Sequence, residues 1–311
     1  MRTQTEPVDE QLEAGLSTVL SERRQLINLA YRFLGSLADA EDVVQEAYAR
    51  WYAMTRAQRD AVASPGGWLT TVASRICLDL LGSARARRER YVGEWIPEPL
   101  PDHSEWVGGR SGGTVDPADR ITLDESVNMA FLVVLDSMTP AERVAFILHD
   151  VFRYSFAEVA ESVGRSPAAC RQLASSARRR IRSAQQAPAT ATAQRADIVR
   201  NFKQAWEAKD IGALITLLDP DATGLADGGG LVNAAPPTGG SEQIARYLVT
   251  ITGKVPALTI LERTVNGEPG LVVQEGGVTV SVLAFDFAGD RIKHLWAVRN
   301  PEKLRPWTSA A

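Results

Sequence analysis

Between Ser166 and Arg182 two sets of residues recur with helical spacing. Cys170, Leu173, Ala174, Ala177 and Ile181 fall on one face of a helix. Arg171, Gln172, Ser175, Arg178, Arg179 and Arg182 fall on the other. Arginine pairs bidentately with the major-groove edge of guanine and glutamine with that of adenine, while neighbouring arginines neutralise phosphates. Ser166-Pro167 opens this helix with free N–H groups that can hold a phosphate oxygen, and Arg165 stands just before it. Upstream, Ser155-Phe-Ala-Glu158 is a capping box, and Gly164 ends the short helix it starts. Two helices joined by so tight a turn predict a helix-turn-helix. A solvated basic face is the plain alternative, but turn, caps and charge agree on duplex DNA as the ligand. Cys170 lies on the packed face and reads as a small core residue, not a nucleophile.

A second arginine cluster, Arg85, Arg87, Arg88 and Arg90, follows a helix that bears Trp68. Aromatics beside arginines suit unpaired bases, which stack on rings and guanidinium planes; Trp51 and Trp68 as simple core residues are the alternative. The helix opens at Ser64-Pro65 and runs through Trp68, Val72, Ile76 and Leu80. Before it, a helix from Glu10 is stopped by Gly35, and another opens near Asp39. Its apolar stripe is Val44, Ala47, Tyr48 and Trp51; Glu41, Asp42, Gln45 and Glu46 lie on another face.

The 311 residues carry a formal net charge of -4, which by itself argues against nucleic acid. The distribution does not. Residues 162–196 hold seven Arg and no acid, whereas 94–126 hold eight acids and two Arg; local basic faces, not the total, attract phosphate. With 45% apolar and 23% charged residues the chain is of globular type. No apolar run is long enough for a bilayer, and Met1–Glu10 has no secretory h-region, so neither a membrane nor export is expected. Two cysteines fit a reducing cytoplasm. The three histidines lie far apart, so no metal and no cofactor is expected.

Two stretches read as linkers. Residues 94–120 are acidic and rich in Pro and Gly; 183–196 are low-complexity Ala, Thr and Gln. Thr139-Pro140-Ala141-Glu142 reads as a further capping box between them. After residue 197 three helical segments precede strand-like runs at Leu258–Val265, Leu271–Glu275, Val278–Phe287 and Arg291–Val298, separated by the turn signals Asn266-Gly267, Gly276-Gly277 and Gly289-Asp290. This predicts an α+β domain with an antiparallel meander.

Residues 31–47, Pro65-Gly-Gly-Trp-Leu and Arg75-Ile-Cys-Leu-Asp-Leu-Leu resemble the polymerase-binding and promoter-melting segments of bacterial extracytoplasmic-function (ECF) sigma factors, and residues 139–182 are similar to their upstream-element module. Trp95-Ile-Pro-Glu-Pro, Asp227-Gly-Gly-Gly and Asn300-Pro-Glu-Lys-Leu resemble the subgroup with a C-terminal SnoaL-like domain. Where the subgroup has Lys after the glycines, this chain has Leu231. The resemblance implies a multidomain chain: sigma region 2 at 10–93, a linker at 94–120, an all-α region 4 at 121–182, a tether at 183–196, and an α+β conical barrel at 197–311. It implies core RNA polymerase as partner of Asp39, Glu41, Asp42, Gln45 and Glu46. Promoter DNA would meet Arg75, Arg85, Arg87 and Arg88 at the downstream element, and Arg165, Ser166, Arg171, Gln172, Ser175, Arg178 and Arg179 at the upstream one. Trp95, Pro97, Glu98, Pro99, Asp227, Gly228, Gly229, Gly230, Asn300, Pro301, Lys303 and Leu304 would carry regulation in cis. The 27-residue linker, at roughly 3.3 Å per residue, spans about 90 Å, enough for promoter elements on the order of 60–70 Å apart.

Two other functions are weighed: a helix-turn-helix regulator that acts without core polymerase, and a DNA-binding part fused to a small-molecule-binding or isomerase/cyclase domain. Catalysis in the C-terminal barrel would need an Asp base or Asp/His pair facing a pocket. Asp221, Asp227, Tyr247 and His294 are the candidates, with no spacing that ties them together. A ligand in the barrel would act by favouring one arrangement of the chain.

Overall fold

The computed structural model describes residues 22–88, 91, 93–101, 128–184, 191–255 and 258–308. The helices are α1 (22–34), α2 (Leu37–Ala53), α3 (Arg56–Asp60), α4 (Pro65–Arg88), α5 (Met129–Asp136), α6 (Pro140–Phe146), α7 (Phe156–Val163), α8 (Pro167–Ala184), α9 (Thr192–Glu207) and α10 (Ile211–Leu217). The strands β1 (Leu218–Asp227) and β2 (Thr238–Gly239) follow, then α11 (Ser241–Lys254), β3 (Leu258–Val265), β4 (Glu268–Glu275), β5 (Val278–Ala288), β6 (Arg291–Val298) and α12 (Arg305–Thr308). Among the described residues no helix is long and apolar enough to cross a membrane.

The chain divides into two compact units. The first comprises the described residues of 22–82 and 140–174. Gly35, at φ +69°, ends α1, and the Ser36 hydroxyl accepts from the Asp39 amide at 3.2 Å to cap α2. The buried side of α2 is Ala40, Val43, Val44 and Ala47. Tyr48 and Trp51 are only half-buried, so the packed stripe is rotated from the expected one toward the helix start. Ser64 caps α4 as expected, accepting from the Gly67 amide.

In α7 and α8 the punctuation is as the sequence predicts. Ser155 and Glu158 make both capping-box bonds, and Gly164 ends α7 at φ +69° in the left-handed region. Between α6 and α7 a π-helical turn, Ile147–Val151, buries Ile147, Leu148 and Val151. These helices meet the first four through polar contacts. The Arg143 guanidinium, 3% exposed, donates to the Phe33 carbonyl at 2.7 Å. Burial lowers its pKa to about 10, which leaves it charged at neutral pH. Thr70 and Tyr154 share a hydroxyl–hydroxyl bond of 3.0 Å, and Arg75 donates to the Glu161 carbonyl at 2.8 Å.

The second unit comprises the described residues of 83–101, 128–139 and 175–308. Its sheet has the order β2-β1-β6-β5-β4-β3, with β1 parallel to β6 and every other pair antiparallel. The four expected runs are β3–β6; β1 and β2 were not expected. The sheet keeps two edges, β2 and β3, so it is open rather than the closed conical barrel anticipated. Register shifts leave extra residues in β1, at Val280 of β5 and at Lys293 of β6; such bulges bend a sheet around what it packs on.

One face packs Phe202, Trp206, Leu214, Leu248, Leu283 and Phe285 into a core with α9, α10 and α11. The Trp206 indole N–H, buried there, donates to the Leu248 carbonyl at 3.0 Å. The other face presents Val265, Val272, Val282, Trp296 and Val298, and is covered by Ile96, by Met129 of α5 and by Leu304. Each such side chain is worth about 1.5–3 kcal/mol when fully buried, so linker and tail are held to this face by the hydrophobic effect. Helix α9 starts inside the expected tether, where Arg195 pairs with Glu268 at 2.6 Å.

Candidate functional site

Two distant stretches, one holding Tyr91 and Ile96 and the other Lys303, converge on Asp227, the last residue of β1. Its side chain is fully buried, and its carboxylate accepts four hydrogen bonds. Oδ1 takes the Tyr91 phenol at 2.6 Å and the Gly229 amide at 2.9 Å. Oδ2 takes the Ile96 amide at 3.1 Å and the Lys303 ammonium at 2.7 Å. A buried carboxylate is tolerable only when paired and hydrogen-bonded in this way. Lys303 also donates to the Ile96 carbonyl, and its Nζ stands 4.4 Å from the Trp95 ring centroid and 5.4 Å from that of Tyr91. These are cation–π distances. Burial, and then the bond to Asp227, push the Tyr91 phenol up, so it stays protonated as the donor.

The glycines after Asp227 serve close approach. A Cβ on Gly228 would strike the Val232 carbonyl, and one on Gly229, at φ +63°, would strike the Asn300 amide. Gly230 also has positive φ. The Asn300 amide donates to the Tyr91 hydroxyl at 3.0 Å, and Pro301 starts the turn that brings Lys303 and Leu304 inward. Leu231, where the subgroup carries Lys, is 61% exposed and makes no charge contact.

From Trp95 the strap runs along the sheet. Pro97, Glu98 and Pro99 are buried, and the Pro99 carbonyl accepts from the Trp307 indole at 2.8 Å. Leu100 exchanges two bonds with Asn266: its amide donates to the Asn266 side chain at 3.0 Å, and its carbonyl accepts the Asn266 amide at 2.9 Å. Every regulatory residue expected from the sequence lies on this latch or in the turn beside it. Tyr91, Asn266 and Trp307 belong to it too and were missed. Asn266 gave a signal as the left-handed residue of a hairpin turn (φ +52°), but its second use is set by a partner far along the chain.

The acidic side of α2 is open. Asp39, Asp42, Gln45 and Glu46 are exposed and Glu41 half-buried, with Glu46 bonded to Arg50 at 2.8 Å. On α8, Cys170, Ala174 and Ala177 are buried, while Arg171, Gln172, Ser175 and Arg179 are exposed and Arg178 is half-buried. Arg165 and Ser166 are exposed at the turn, where the Ser166 hydroxyl caps α8 by accepting from the Ala169 amide. Sequence reasoning missed what holds Arg171: its guanidinium carbon lies 5.1 Å from the Phe156 ring centroid, and Phe156 stacks on His149 at 3.8 Å. Arg75 is exposed on α4, but its guanidinium is engaged by the Glu161 carbonyl. The side chains of Arg85, Arg87 and Arg88 lie outside the described residues.

The catalytic candidates are not brought together. Asp227 is consumed by the latch, Asp221 is exposed, and the His294 ring bonds Thr223 at 2.6 Å. Only Tyr247 of the four lines the cavity beneath α11.

Residues 18–87 match the family model described as Sigma-70 region 2, and residues 128–181 the one described as Sigma-70, region 4. ECF RNA polymerase sigma factor SigJ of Mycobacterium tuberculosis is 37% identical over 295 residues, covering 91% of this chain and 90% of its own. Probable ECF RNA polymerase sigma factor SigI of the same organism is 35% identical over 285 residues, covering 91% and 92%. The crystal structure of SigJ superimposes with a TM-score of 0.71 at 33% identity, over 94% of this chain and 98% of that one.

Proposed function

Because the chain belongs to the ECF family of RNA polymerase sigma factors, with a SnoaL-like C-terminal domain, we propose that its promoter-directed activity is set in cis by the latch on Asp227. The protein directs transcription initiation with core RNA polymerase on promoter DNA, and it is not an enzyme. It does so in the cytoplasm, where core polymerase works.

Within that activity, region 2 (10–93) uses Asp39, Glu41, Asp42, Gln45 and Glu46 to meet a basic helical feature of the polymerase, and Arg75, Arg85, Arg87 and Arg88 at the downstream element. Region 4 (121–182) uses Arg165, Ser166, Arg171, Gln172, Ser175, Arg178 and Arg179 at the upstream element. The linker 94–120 joins them, and after the tether 183–196 the domain at 197–311 holds the start of that linker. What supports these assignments is the exposure of the acidic side of α2 and of the basic side of α8.

The observation that carries regulation is the fourfold bonding of the Asp227 carboxylate by linker, loop and tail. A strap pinned at Ile96, Pro99 and Leu100 is not free to extend between two promoter elements. Releasing it changes the distance the sigma modules can span. A ligand in the C-terminal domain would act through the same equilibrium, to the extent that it distinguishes latched from released chains.

Promoter-dependent run-off transcription tests this with core polymerase and three proteins: full-length, a chain ending at Arg195, and one lacking Asn300–Ala311. Both truncations are expected to change the yield in the same direction. Equal yields from all three would overturn regulation by the latch, and absence of any promoter-dependent product would overturn the assignment of the sigma modules.

A further inference from the structure

We propose that the cavity between α11 and the sheet of the C-terminal domain binds a neutral, apolar molecule about one ring in size, and that occupancy tightens the latch. The regulatory half of this rests on the latch reading above; the binding half does not.

The cavity has a volume of about 120 Å³. Trp206, Ile244, Ile251, Val273, Leu283 and Leu295 form much of its wall. An apolar cavity of about 150 Å³ in another protein stays dry and takes up benzene, because a water needs two to four polar partners and finds none there. The present space is of the same order, so it has room for a single ring. Its lining carries one cation, Arg299, and one anion, Glu275. The Arg299 guanidinium already donates to the Asn233 carbonyl. Most of the remaining wall is apolar, with Thr238, Tyr247 and Ser281 as its hydroxyl groups, so a charged ligand would give up hydration that the wall replaces only in part, and burial of such a charge is costly. The matching ligand is therefore neutral.

Cavity and latch meet at the end of β1 and just past the end of β6. Ala226 lines the cavity and the next residue is Asp227; Arg299 lines it and the next residue is Asn300. The amides of Arg299 and Asn300 both donate to the Asp227 carbonyl, at 2.7 and 2.9 Å, so the two wall segments are tied together where they enter the latch. The cavity is formed with the latch closed. Opening the latch loosens the ends of both wall segments, and a ligand that packs on Ala226 and Arg299 loses contacts there. It therefore binds the latched chain more tightly, and by reciprocity the closed latch raises its affinity by the same factor.

Toluene and benzoate, nearly equal in size and differing in charge, test this on the full-length protein by calorimetric titration. Toluene is expected to bind, with benzoate weaker by at least about tenfold. No heat from toluene, or equal affinity for benzoate, overturns the ligand class. Val280→Phe and, separately, Ile251→Phe fill the cavity from a strand and from α11. A variant that retains its far-UV circular dichroism and still binds toluene as the parent does overturns the location. Bound toluene is expected to slow hydrogen exchange at the Ile96 amide by about fivefold, and Asp227→Asn to weaken toluene by a similar factor. Unchanged or faster exchange, with toluene shown to be bound, overturns the coupling. Failure of toluene to bind leaves the transcription comparison of truncated chains unaffected, so the two ideas fail separately.

Discussion

The Lys303 ammonium meets the Asp227 carboxylate at 2.7 Å, with side-chain exposures of 10% and 0%. Breaking such a pair from one side strands a buried charge, at a cost of about 3–5 kcal/mol, whereas removing both charges costs less. Asp227→Asn and Lys303→Met should each release the strap, seen as faster hydrogen exchange at the Ile96 amide. The double variant should recover part of the protection. Additive losses in the double variant would mean that the two residues do not act as a pair.

Charge reversal on α2 should separate polymerase binding from folding. Asp42 and Glu46 are exposed, and the bond from Glu46 to Arg50 is a surface pair worth only about 0.3–0.5 kcal/mol. Asp42→Arg with Glu46→Arg should leave the thermal unfolding midpoint nearly unchanged. Affinity for core polymerase in a pull-down should fall by at least about tenfold, since like charges set face to face cost several kcal/mol. Retained affinity would remove this face from the polymerase contact.

On α8 the roles of arginines can be told apart by salt. Arg171→Ala should cost about 1–3 kcal/mol in upstream-element affinity if Arg171 reads a base. Arg179→Ala should lower the slope of log affinity against log salt by about one if Arg179 neutralises a phosphate. Phe156→Ala removes the ring that supports Arg171 and should give a smaller loss confined to the same base pair. Fluorescence anisotropy over a salt series measures all three, and an unchanged affinity and slope in every variant would rule out this helix as the reader.

His294 gives the C-terminal domain a dependence on acid. Burial lowers its pKa from 6.5, with Asp286 and Asp219 opposing and Lys293 assisting. The folded state therefore holds the neutral ring, and the unfolded chain takes up the proton first. Stability is fully present above about 6.5 and falls as the pH drops toward the folded-state value. His294→Gln should flatten that fall in urea midpoints measured between about pH 7 and pH 5. An identical pH profile would show that another group titrates.

Local chemistry carried most of what was legible. The cap at Ser155, the stop at Gly164 and the arginine side of α8 each depend on residues within one or two turns, and each stands where the sequence places it. Strand β1 was hidden for the opposite reason. Asp219-Pro220 reads as a helix stop, yet Pro220 lies within a strand whose parallel partner, β6, comes some seventy residues later, as in the pairing of Thr223 with His294. The same distance hid Tyr91. A tyrosine after an arginine cluster has no pattern of its own, and its role comes from a carboxylate 136 residues away. The motifs that form the latch were visible only through family resemblance, because no spacing within them foretells that they meet.

The three parts of the latch leave the ribosome in order: Tyr91 and Ile96 first, Asp227 later, Lys303 after both. Both sigma modules are thus synthesised before the lysine that completes the closure exists. A nascent chain that has not yet reached Lys303 therefore lacks the bond that completes this closure.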